Sequence, residues 1–509
     1  MQPSIYLINP KEGTLGYYGA EVLGAWGVAA ATNLVDLATP TVAALVPPDW
    51  AVTLCDERVQ AIDFDTTAAV VGITGKVSQR ERMVALAAEF RGRGKLVLIG
   101  GPAASLEPEA FQPHADILVT GELEDIAPRL FAEIASDTWS PRYEGGRPDL
   151  GASPIPRWDL YPRNVALVGQ VQTSRGCPFE CEFCDVIQYL GRKQRWKEPE
   201  QVVAELDVLH RRGFRYVFLA DDNFTVMRRR TRELLVRLID WNAERPDARV
   251  QFSTQASIDL ARDPELLKLC VRANLRTAFF GIETPNQDSL AETMKRQNLR
   301  VDLASEIRKI TRAGMMAMCG MIVGFDNDGP DIFERQLAFI QSLPVPMIMF
   351  GTLVAPAATP LYARLQGEGR LTAEKHLGGG EILQTNIVPK RMTREQLHDG
   401  SRWLVNRIYA PEAFADRLSA FVATYGIGET RPPGPPLGQI EHALLAKLAS
   451  LGPAERALAE LIVAIAGSHP DLTGHLSNVL LGYCQVRYMY AQYGVWNPEL
   501  ARREAPIAA

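Results

Sequence analysis

Short apolar runs alternate with helix-like stretches along the middle of the chain, and this alternation constrains the fold more than any other feature. The helix-like stretches lie between the runs, for example at 200–211, 229–242, 264–273, 302–313 and 331–342. The runs that we predict as strands are 165–173, 216–220, 250–254, 278–282, 316–325 and 347–354. Strands that alternate with helices indicate a parallel sheet built from βα units. Six such units are two short of a complete eight-stranded barrel.

Three cysteines lie close together in the loop after the first of these runs. The segment reads Cys177-Pro-Phe-Glu-Cys181-Glu-Phe-Cys184, and the next cysteine is far along the chain at Cys270. Cys thiolates hold iron–sulfur clusters, normally four to a cubane cluster. A cubane with three ligands keeps one iron open, as catalytic zinc keeps one position for its reactant. The alternatives are a zinc knuckle, a disulfide loop and buried core cysteines, but zinc sites usually contain paired CxxC units or nearby histidines.

Composition narrows the class of protein. The 509 residues predict two to four domains, and the share of charged residues, 22%, is ordinary for a soluble globular chain. A net charge of −6 and a pI near 5.8 argue against nucleic acid as the main partner. Seven scattered cysteines are too few for a secreted disulfide framework. We therefore expect a reducing cytoplasm.

The sequence contains no segment that is typical of a transmembrane helix. The N-terminus lacks the basic start and apolar core of a signal peptide. No uncharged apolar run reaches the length that is needed to cross a bilayer. We expect no transmembrane segment, and peripheral contact with a membrane stays open.

The first 140 residues contain a second set of strand-like runs. A long Ala-rich stretch, 19–46, is predicted as helical, and further helices are predicted at 80–93 and 107–114. The strand-like runs are 5–9, 52–55, 69–74, 96–99 and 117–119. The rhythm again predicts a parallel α/β sheet, in which the carboxyl ends of the strands form the ligand crevice. We predict a Rossmann-like domain over 1–140 that binds a nucleotide-like cofactor, with a degenerate, empty domain as the alternative.

The cysteine spacing, with Phe183 before the last cysteine, resembles the radical S-adenosylmethionine (SAM) superfamily. In that family SAM binds the open iron of a 4Fe-4S cluster, which cleaves it to a 5′-deoxyadenosyl radical. The resemblance implies that Cys177, Cys181 and Cys184 hold the cluster. It also implies a partial (β/α)6 TIM-like barrel over 164–365, open at the side, and an external electron donor of the flavodoxin or ferredoxin type.

The resemblance also implies where SAM binds, because chemistry in βα barrels collects at the carboxyl ends of strands. Asp221 or Asp222, after the second strand, would meet the amino group of SAM, since a carboxylate suits an ammonium. Glu283 would contact the ribose, and Arg296 would hold the SAM carboxylate as a charge-assisted fork. The remaining positions are Phe183, Gln255, Ser257, Gly320, Ile322 and Gly324. Taken singly, such carboxylates can be helix N-caps and such glycines can be turn residues.

Residues 1–140 resemble the cobalamin-binding domain that precedes the barrel in one large radical SAM subfamily. In that fold a small hydroxyl residue follows the third strand and a Gly-Gly turn follows the fourth. Thr74 and the pair Gly100 and Gly101 occupy those places. The loop after the first strand lacks the Asp-x-His-x-x-Gly motif, so no histidine from that motif can be the lower ligand of cobalamin.

The remaining segments are a linker and a helical region. Residues 141–163 are rich in Pro and Gly and are predicted to join the two domains. Residues 366–509 are predicted as a helical C-terminal cap over the barrel mouth, where they would shape the substrate pocket. The final predicted helix, 472–493, carries four tyrosines, which at helical spacing are more often core than cofactor contacts.

The runs at 172–186, 221–224, 295–298 and 385–390 resemble a subgroup that contains hopanoid C-methylases. The resemblance implies a cobalamin-dependent enzyme that methylates an unactivated carbon of a small-molecule or lipid substrate. One SAM would methylate cobalamin, and a second would yield the radical that takes a hydrogen atom from the substrate. The alternatives are a radical SAM cyclase, ring-rearranging or carbon-coupling enzyme without methyl transfer, and a non-catalytic iron–sulfur or cobalamin carrier.

Overall fold

The computed structural model describes residues 2–372, 382–426, 434–503 and 505. Parts of the predicted C-terminal cap, namely 373–381, 427–433, 504 and 506–509, lie outside the described residues, as does Met1. The strands are, in chain order, β1 Ser4–Asn9, β2 Thr32–Leu34, β3 Ala51–Asp56, β4 Val70–Thr74, β5 Leu96–Gly100, β6 Ile117–Thr120, β7 Arg142–Glu144, β8 Ala166–Val171, β9 Ser174–Arg175, β10 Arg195–Trp196, β11 Tyr216–Leu219, β12 Gln251–Ala256, β13 Leu275–Glu283, β14 Met316–Val323 and β15 Ile348–Thr352.

The α-helices alternate with the strands up to residue 367 and then follow one another without strands between them. In chain order they are α1 Glu21–Ala25, α2 Ala38–Leu45, α3 Arg80–Gly92, α4 Pro102–Leu106, α5 Pro108–Phe111, α6 Ala127–Ala135, α7 Val186–Tyr189, α8 Pro199–Arg211, α9 Arg228–Ala243, α10 Pro264–Arg272, α11 Gln287–Glu292, α12 Leu303–Ala313, α13 Ile332–Gln341, α14 Pro360–Gly367, α15 Arg394–Tyr409, α16 Pro411–Thr424, α17 Gln439–Ala449, α18 Pro453–Ser468 and α19 Thr473–Gln492.

The first sheet has six parallel strands in the order β3-β1-β4-β5-β6-β7. Its central strands are apolar because helices cover both faces. On one face α3 buries Met83, Leu86 and Phe90 at helical spacing. On the other face α6 buries Phe131 against Trp50, whose ring centroid lies 5.4 Å away. The Rossmann-like α/β fold predicted for this region is confirmed.

The second sheet has seven parallel strands in the order β15-β14-β13-β12-β11-β8-β2. The six predicted βα units form β8 and β11–β15 with their helices, and the sheet curls into a partial barrel. The seventh strand, β2, pairs with β8 in parallel, with Thr32 opposite Ala166. The partial barrel is therefore confirmed, with one more strand than the six predicted.

The structure departs from the sequence prediction at two short strands. Only Glu21–Ala25 and Ala38–Leu45 are helical within the stretch predicted as a helix at 19–46, and β2 lies between them. Within the predicted linker, β7 extends the first sheet beside β6 and buries Tyr143. The segment before residue 140 thus contributes to both sheets, and the first sheet continues beyond residue 140.

Of the helices after α14, α19 covers the amino-terminal end of the partial barrel, rather than its mouth at the carboxyl ends of the strands. A Cβ atom on Gly474 of α19 would lie 3.2 Å from Gln251 Oε1, at the start of β12, and one on Gly482 would lie 2.7 Å from Met347, just before β15. Tyr483 and Tyr490 of α19 are fully buried, which confirms that these aromatic residues are core. No helix in the described part of the chain is both long and apolar enough to cross a membrane.

Candidate functional site

A cavity of about 730 Å³ lies between the two sheets and continues into the partial barrel. Thr74, Gly100 and Gly101, at the carboxyl ends of β4 and β5, line it from the first sheet. Asp222 and Gln255, beyond β11 and near the end of β12, line it from the second sheet. The carboxyl ends of both sheets therefore face one space, as expected for ligand crevices of α/β folds.

The loop that carries the three cysteines turns sharply at Gly176. Its φ of +95° is in the left-handed region, and a Cβ atom there would lie 2.8 Å from the carbonyl oxygen of Lys193. Only glycine suits this position. The amide of Cys177 donates to the carbonyl oxygen of Gly191 at 3.2 Å, and that of Cys184 donates to the carbonyl oxygen of Cys181 at 3.1 Å. These contacts hold the loop against the segment that follows it.

The three cysteines have the donor chemistry of an iron–sulfur site. Cys181 is buried, Cys177 and Cys184 are half-buried, and all three are free thiols. Burial raises the pKa of the Cys184 thiol to about 12, and Asp185 and the other two cysteines add to this rise. A bound metal would reverse it, since thiols that coordinate metal are deprotonated. Among the described residues, no three His, Cys, Asp or Glu side chains lie close enough together to hold a metal ion as they stand. The sulfur ligands fit a cluster by type and spacing.

Asp221 and Asp222 have different surroundings. Asp221 is 1% exposed, and its carboxylate accepts hydrogen bonds from the amides of Thr173 and Ser174 at 2.7 and 2.8 Å and from the Thr173 hydroxyl. Asp222 is half-buried in the cavity wall and accepts one hydrogen bond, from the amide of Gly176 at 3.1 Å. Burial raises the pKa of Asp222 to about 6. Asp221 is thus occupied by the start of the cysteine loop, whereas Asp222 faces the ligand space.

Glu283 and Lys295 form a buried ion pair with 2.6 Å between Oε1 and Nζ. Glu283 adopts a φ of +66°, which is rare outside glycine and clusters at functional sites. Burial alone would lower the pKa of Lys295, but Glu283 and the nearby Cys181 raise it above its ordinary value. Lys295 also lies 5.9 Å above the ring of Phe183. It therefore joins the end of β13 to the cysteine loop.

Arg296, the next residue, is exposed and takes no part in this pair. Its side chain is 67% exposed, and Glu180 lies 3.9 Å from it. The assignment of Arg296 to the SAM carboxylate stays a prediction. Lys295 was missed by sequence reasoning, although it is the first residue of the 295–298 run on which the subgroup resemblance was based.

The other predicted SAM positions lie in or just after β12 and β14, and in the cysteine loop. Gln255 faces the cavity, and the hydroxyl of Ser257 accepts a hydrogen bond from the Asn223 side chain. Phe183 packs against Phe325 with 6.3 Å between ring centroids, next to the end of β14. Gly320, Ile322 and Gly324 follow one another along β14 and just beyond it.

The glycines of this run allow close approach. A Cβ atom on Gly320 would lie 2.6 Å from the ring of Phe279, and Gly324 has a φ of +101°. The carbonyl oxygen of Ile322 accepts a hydrogen bond from Gln336 at 2.6 Å. The structure therefore brings these residues to the same edge of the sheet as the cysteine loop, and their contacts with SAM stay predictions.

The predicted cobalamin residues meet at one turn. Gly101 has a φ of +92°, and a Cβ atom there would lie 2.5 Å from the Thr74 hydroxyl and 3.1 Å from the amide of Gly75. Gly121, after β6, also has a positive φ and lines the same cavity. Three strand ends without bulky side chains make room for a large flat cofactor, so the surface fits cobalamin.

Two arginines next to the cysteine loop, one in β9 and one in β10, contact the acidic loop that follows β6 of the first sheet. Arg175 lies 2.5 Å from Glu122 and 2.7 Å from Glu124, and Arg195 donates to Glu122 at 2.8 Å. Burial alone would raise the pKa of Glu124, but Arg175 lowers it below its ordinary value. From the sequence, no role was assigned to the segment Thr120-Gly-Glu-Leu-Glu124, which begins at the last residue of β6. Its two carboxylates, directly after the carboxyl end of a predicted strand, were the signal that could have indicated this contact.

The comparisons with known proteins identify two family models within the chain. The model of the radical SAM superfamily matches residues 171–340. A domain of unknown function, DUF4070, matches residues 359–456.

Two curated relatives match most of the chain. An uncharacterised methyltransferase of Synechocystis sp., sll1242, is 39% identical and aligns over 74% of this chain and 71% of its own length. The hopanoid C-2 methylase of Rhodopseudomonas palustris is 32% identical over 75% of this chain and 72% of its own length.

Among solved structures, the cobalamin-dependent SAM radical enzyme OxsB, determined with aqua-cobalamin and SAM bound, resembles this chain at a TM-score of 0.61. The match covers 96% of this chain and 80% of that one at 14% identity. At this identity the likeness shows a shared fold, and it extends over both sheets and the C-terminal helices.

Proposed function

We propose that this chain, which belongs to the radical SAM superfamily, is a cobalamin-dependent enzyme that transfers a methyl group to an unactivated carbon of a small-molecule or lipid substrate. The 4Fe-4S cluster and SAM are the family's source of the 5′-deoxyadenosyl radical, and cobalamin supplies the methyl group. The protein's part is to bind and orient these groups and to exclude water.

One observation carries this proposal: a single cavity contacts both the Thr74 and Gly101 turn and the inside of the partial barrel. A substrate in the barrel would therefore lie between the methyl donor on one side and the radical source on the other. Such positioning is what a reaction with two reactive partners requires of its protein. A simple carrier would not need both surfaces to open onto the same space.

The residues around the cysteine loop have separate roles in the proposal. Cys177, Cys181 and Cys184 would hold the cluster. Asp222 would accept hydrogen bonds from the SAM ammonium, because its carboxylate faces the cavity and has one protein donor. The other predicted contacts, from Glu283 and Arg296 to Gly320, Ile322 and Gly324, would form the remainder of the SAM site.

The finer features of the setting are also proposals. An external one-electron donor of the flavodoxin or ferredoxin type would reduce the cluster. A reducing cytoplasm suits an oxygen-labile cluster and seven free thiols. Both the lipid and the small-molecule substrate are consistent with the relationship to a hopanoid methylase.

The proposal is tested anaerobically with reconstituted cluster, SAM, a reductant and cobalamin. We expect 5′-deoxyadenosine and S-adenosylhomocysteine to form together, since methyl transfer consumes one SAM for each purpose. 5′-Deoxyadenosine without S-adenosylhomocysteine would favour a cyclase or coupling enzyme. A Cys181→Ala variant that still cleaves SAM to 5′-deoxyadenosine would overturn the assignment of the cluster.

A further inference from the structure

One face of α19 borders the cavity at the amino-terminal end of the partial barrel. Gly474, Asn478, Leu481 and Gly482 lie on that face, since residues spaced by four, seven and eight positions share one side of a helix. The two glycines let the helix approach the barrel closely, with the Cβ position of Gly474 3.3 Å from the Tyr216 hydroxyl. Asn478, Leu481 and Gly482 line the cavity. We call this end of the cavity, with Tyr216, Gln251, Thr277 and Asn478, the cavity floor.

The floor is polar but uncharged. Tyr216 and Gln251 begin β11 and β12, Thr277 lies near the start of β13, and Asn478 comes from α19. Every acidic or basic residue that lines the cavity lies in the loops of the first sheet or beyond the carboxyl ends of the second, the nearest to the barrel interior being Asp222. Between the ends are apolar side chains such as Phe218, Phe279 and Met318. A charged group would therefore find no oppositely charged partner among the residues that line this end of the cavity, which is unfavourable where the group is buried.

One floor residue lacks a partner for its polar atom. Thr277 is only 5% exposed, and its hydroxyl oxygen, Oγ1, has no hydrogen-bond partner among the described residues. Buried polar atoms are usually hydrogen-bonded, so an orphaned hydroxyl in a residue that lines the cavity is a candidate for ligand contact. Together with the amides of Gln251 and Asn478, it offers both donors and acceptors. A hydroxyl group, which both donates and accepts, matches this set.

We propose that the cavity floor recognises a hydroxyl group at the far end of an otherwise apolar, uncharged substrate. Gln251 and Gln255 face the cavity from the two ends of β12, about 13 Å apart at the rise of an extended chain. A hydroxyl at the floor would then hold the reacting carbon of an elongated molecule near the carboxyl ends of the strands. The inference rests on the proposed function, since it names the class of molecule that this same site would methylate.

The test measures binding to the holoprotein, with cluster and cobalamin bound and without turnover. The probes are decan-1-ol, decanoate and decane, and the binding of each is measured by equilibrium dialysis. We expect decan-1-ol to bind at least about tenfold more tightly than either of the others, because one satisfied buried hydrogen bond is worth about a factor of ten. Thr277→Val and Asn478→Leu should each remove the preference over decane, and Thr277→Ser should keep it.

Equal or tighter binding of decanoate, or an unchanged preference in both Thr277→Val and Asn478→Leu, would overturn the inference. The assay does not depend on SAM cleavage. A protein that forms S-adenosylhomocysteine but shows no alcohol preference would therefore contradict this inference alone. A protein with the preference but without methyl transfer would contradict the proposed function alone.

Discussion

Glu122, in the loop after β6, lies 2.5 Å from Arg175, two residues before Cys177. Both side chains are nearly buried, at 6% and 11% exposure. This ion pair joins the surface proposed for cobalamin directly to the loop proposed for the cluster. The distance between methyl donor and radical source would thus depend on a contact that belongs to neither cofactor.

Glu122→Gln should weaken this junction. It removes the negative charge that Arg175 and Arg195 share. Breaking a buried ion pair costs about 3–5 kcal/mol of stability. We expect the low end of this range, because Glu124 remains beside Arg175. We expect a lower midpoint of thermal unfolding and less S-adenosylhomocysteine per 5′-deoxyadenosine.

Glu89→Gln is the control, since it removes a charge from an exposed pair with Arg93 on α3. It should change neither the unfolding midpoint nor the product ratio. A Glu122→Gln protein that matches this control would show that the junction has no role in coupling.

Gly101→Ala should reduce cobalamin binding. The added methyl group would lie 2.5 Å from the Thr74 hydroxyl, at a positive φ that alanine disfavours. The expected loss of bound cobalamin is at least tenfold, measured by absorbance after gel filtration. Gly94→Ala separates the two effects, because Gly94 also has a positive φ but nothing within 4 Å of its Cβ position. If both variants lose cobalamin equally, general destabilisation rather than crowding at the turn is the cause.

The central strands could be predicted from sequence because their signal is local. Runs such as 70–73 or 316–323 contain no polar side chain, as is typical of strands buried on both faces. The two short strands β2 and β7 could not be predicted from sequence. Thr32–Leu34 lies in an Ala-rich stretch that favours a helix, and it becomes a strand only by pairing with β8, more than 130 residues later. Tyr143 is the only buried residue of β7, flanked by exposed Arg142 and Glu144.

The site shows the same division between local and distant information. The cysteine spacing lies within eight residues, so it could be recognised directly. The partner of each carboxylate could not, because it is set by the packing of loops far apart in the chain. Asp221 and Asp222 are neighbours in sequence, yet one is buried under the cysteine loop and the other faces the cavity. The floor formed by α19 likewise depends on which helix face meets the barrel.

Asp221→Asn and Asp222→Asn should therefore have different effects. Asp221 accepts three hydrogen bonds from Thr173 and Ser174, so the amide would leave a buried donor unsatisfied, at a cost of about 1–3 kcal/mol. We expect this variant to bind less iron and to unfold at a lower temperature. Asp222→Asn should keep its iron and raise the KM for SAM. If Asp222→Asn loses iron while Asp221→Asn keeps it, the assigned roles are reversed.

Lys295→Met and Arg296→Met test which cation contacts SAM. Removing Lys295 would leave the Glu283 carboxylate buried without its partner, so we expect a lower midpoint of thermal unfolding by calorimetry. Arg296 is exposed and pairs weakly with Glu180, so its loss should leave the midpoint unchanged. If Arg296 holds the SAM carboxylate, Arg296→Met should raise the KM for SAM about tenfold, since a charge-assisted hydrogen bond is lost. An unchanged KM in Arg296→Met, with a raised KM in a Lys295→Met protein that is still folded, would assign the carboxylate to Lys295 instead.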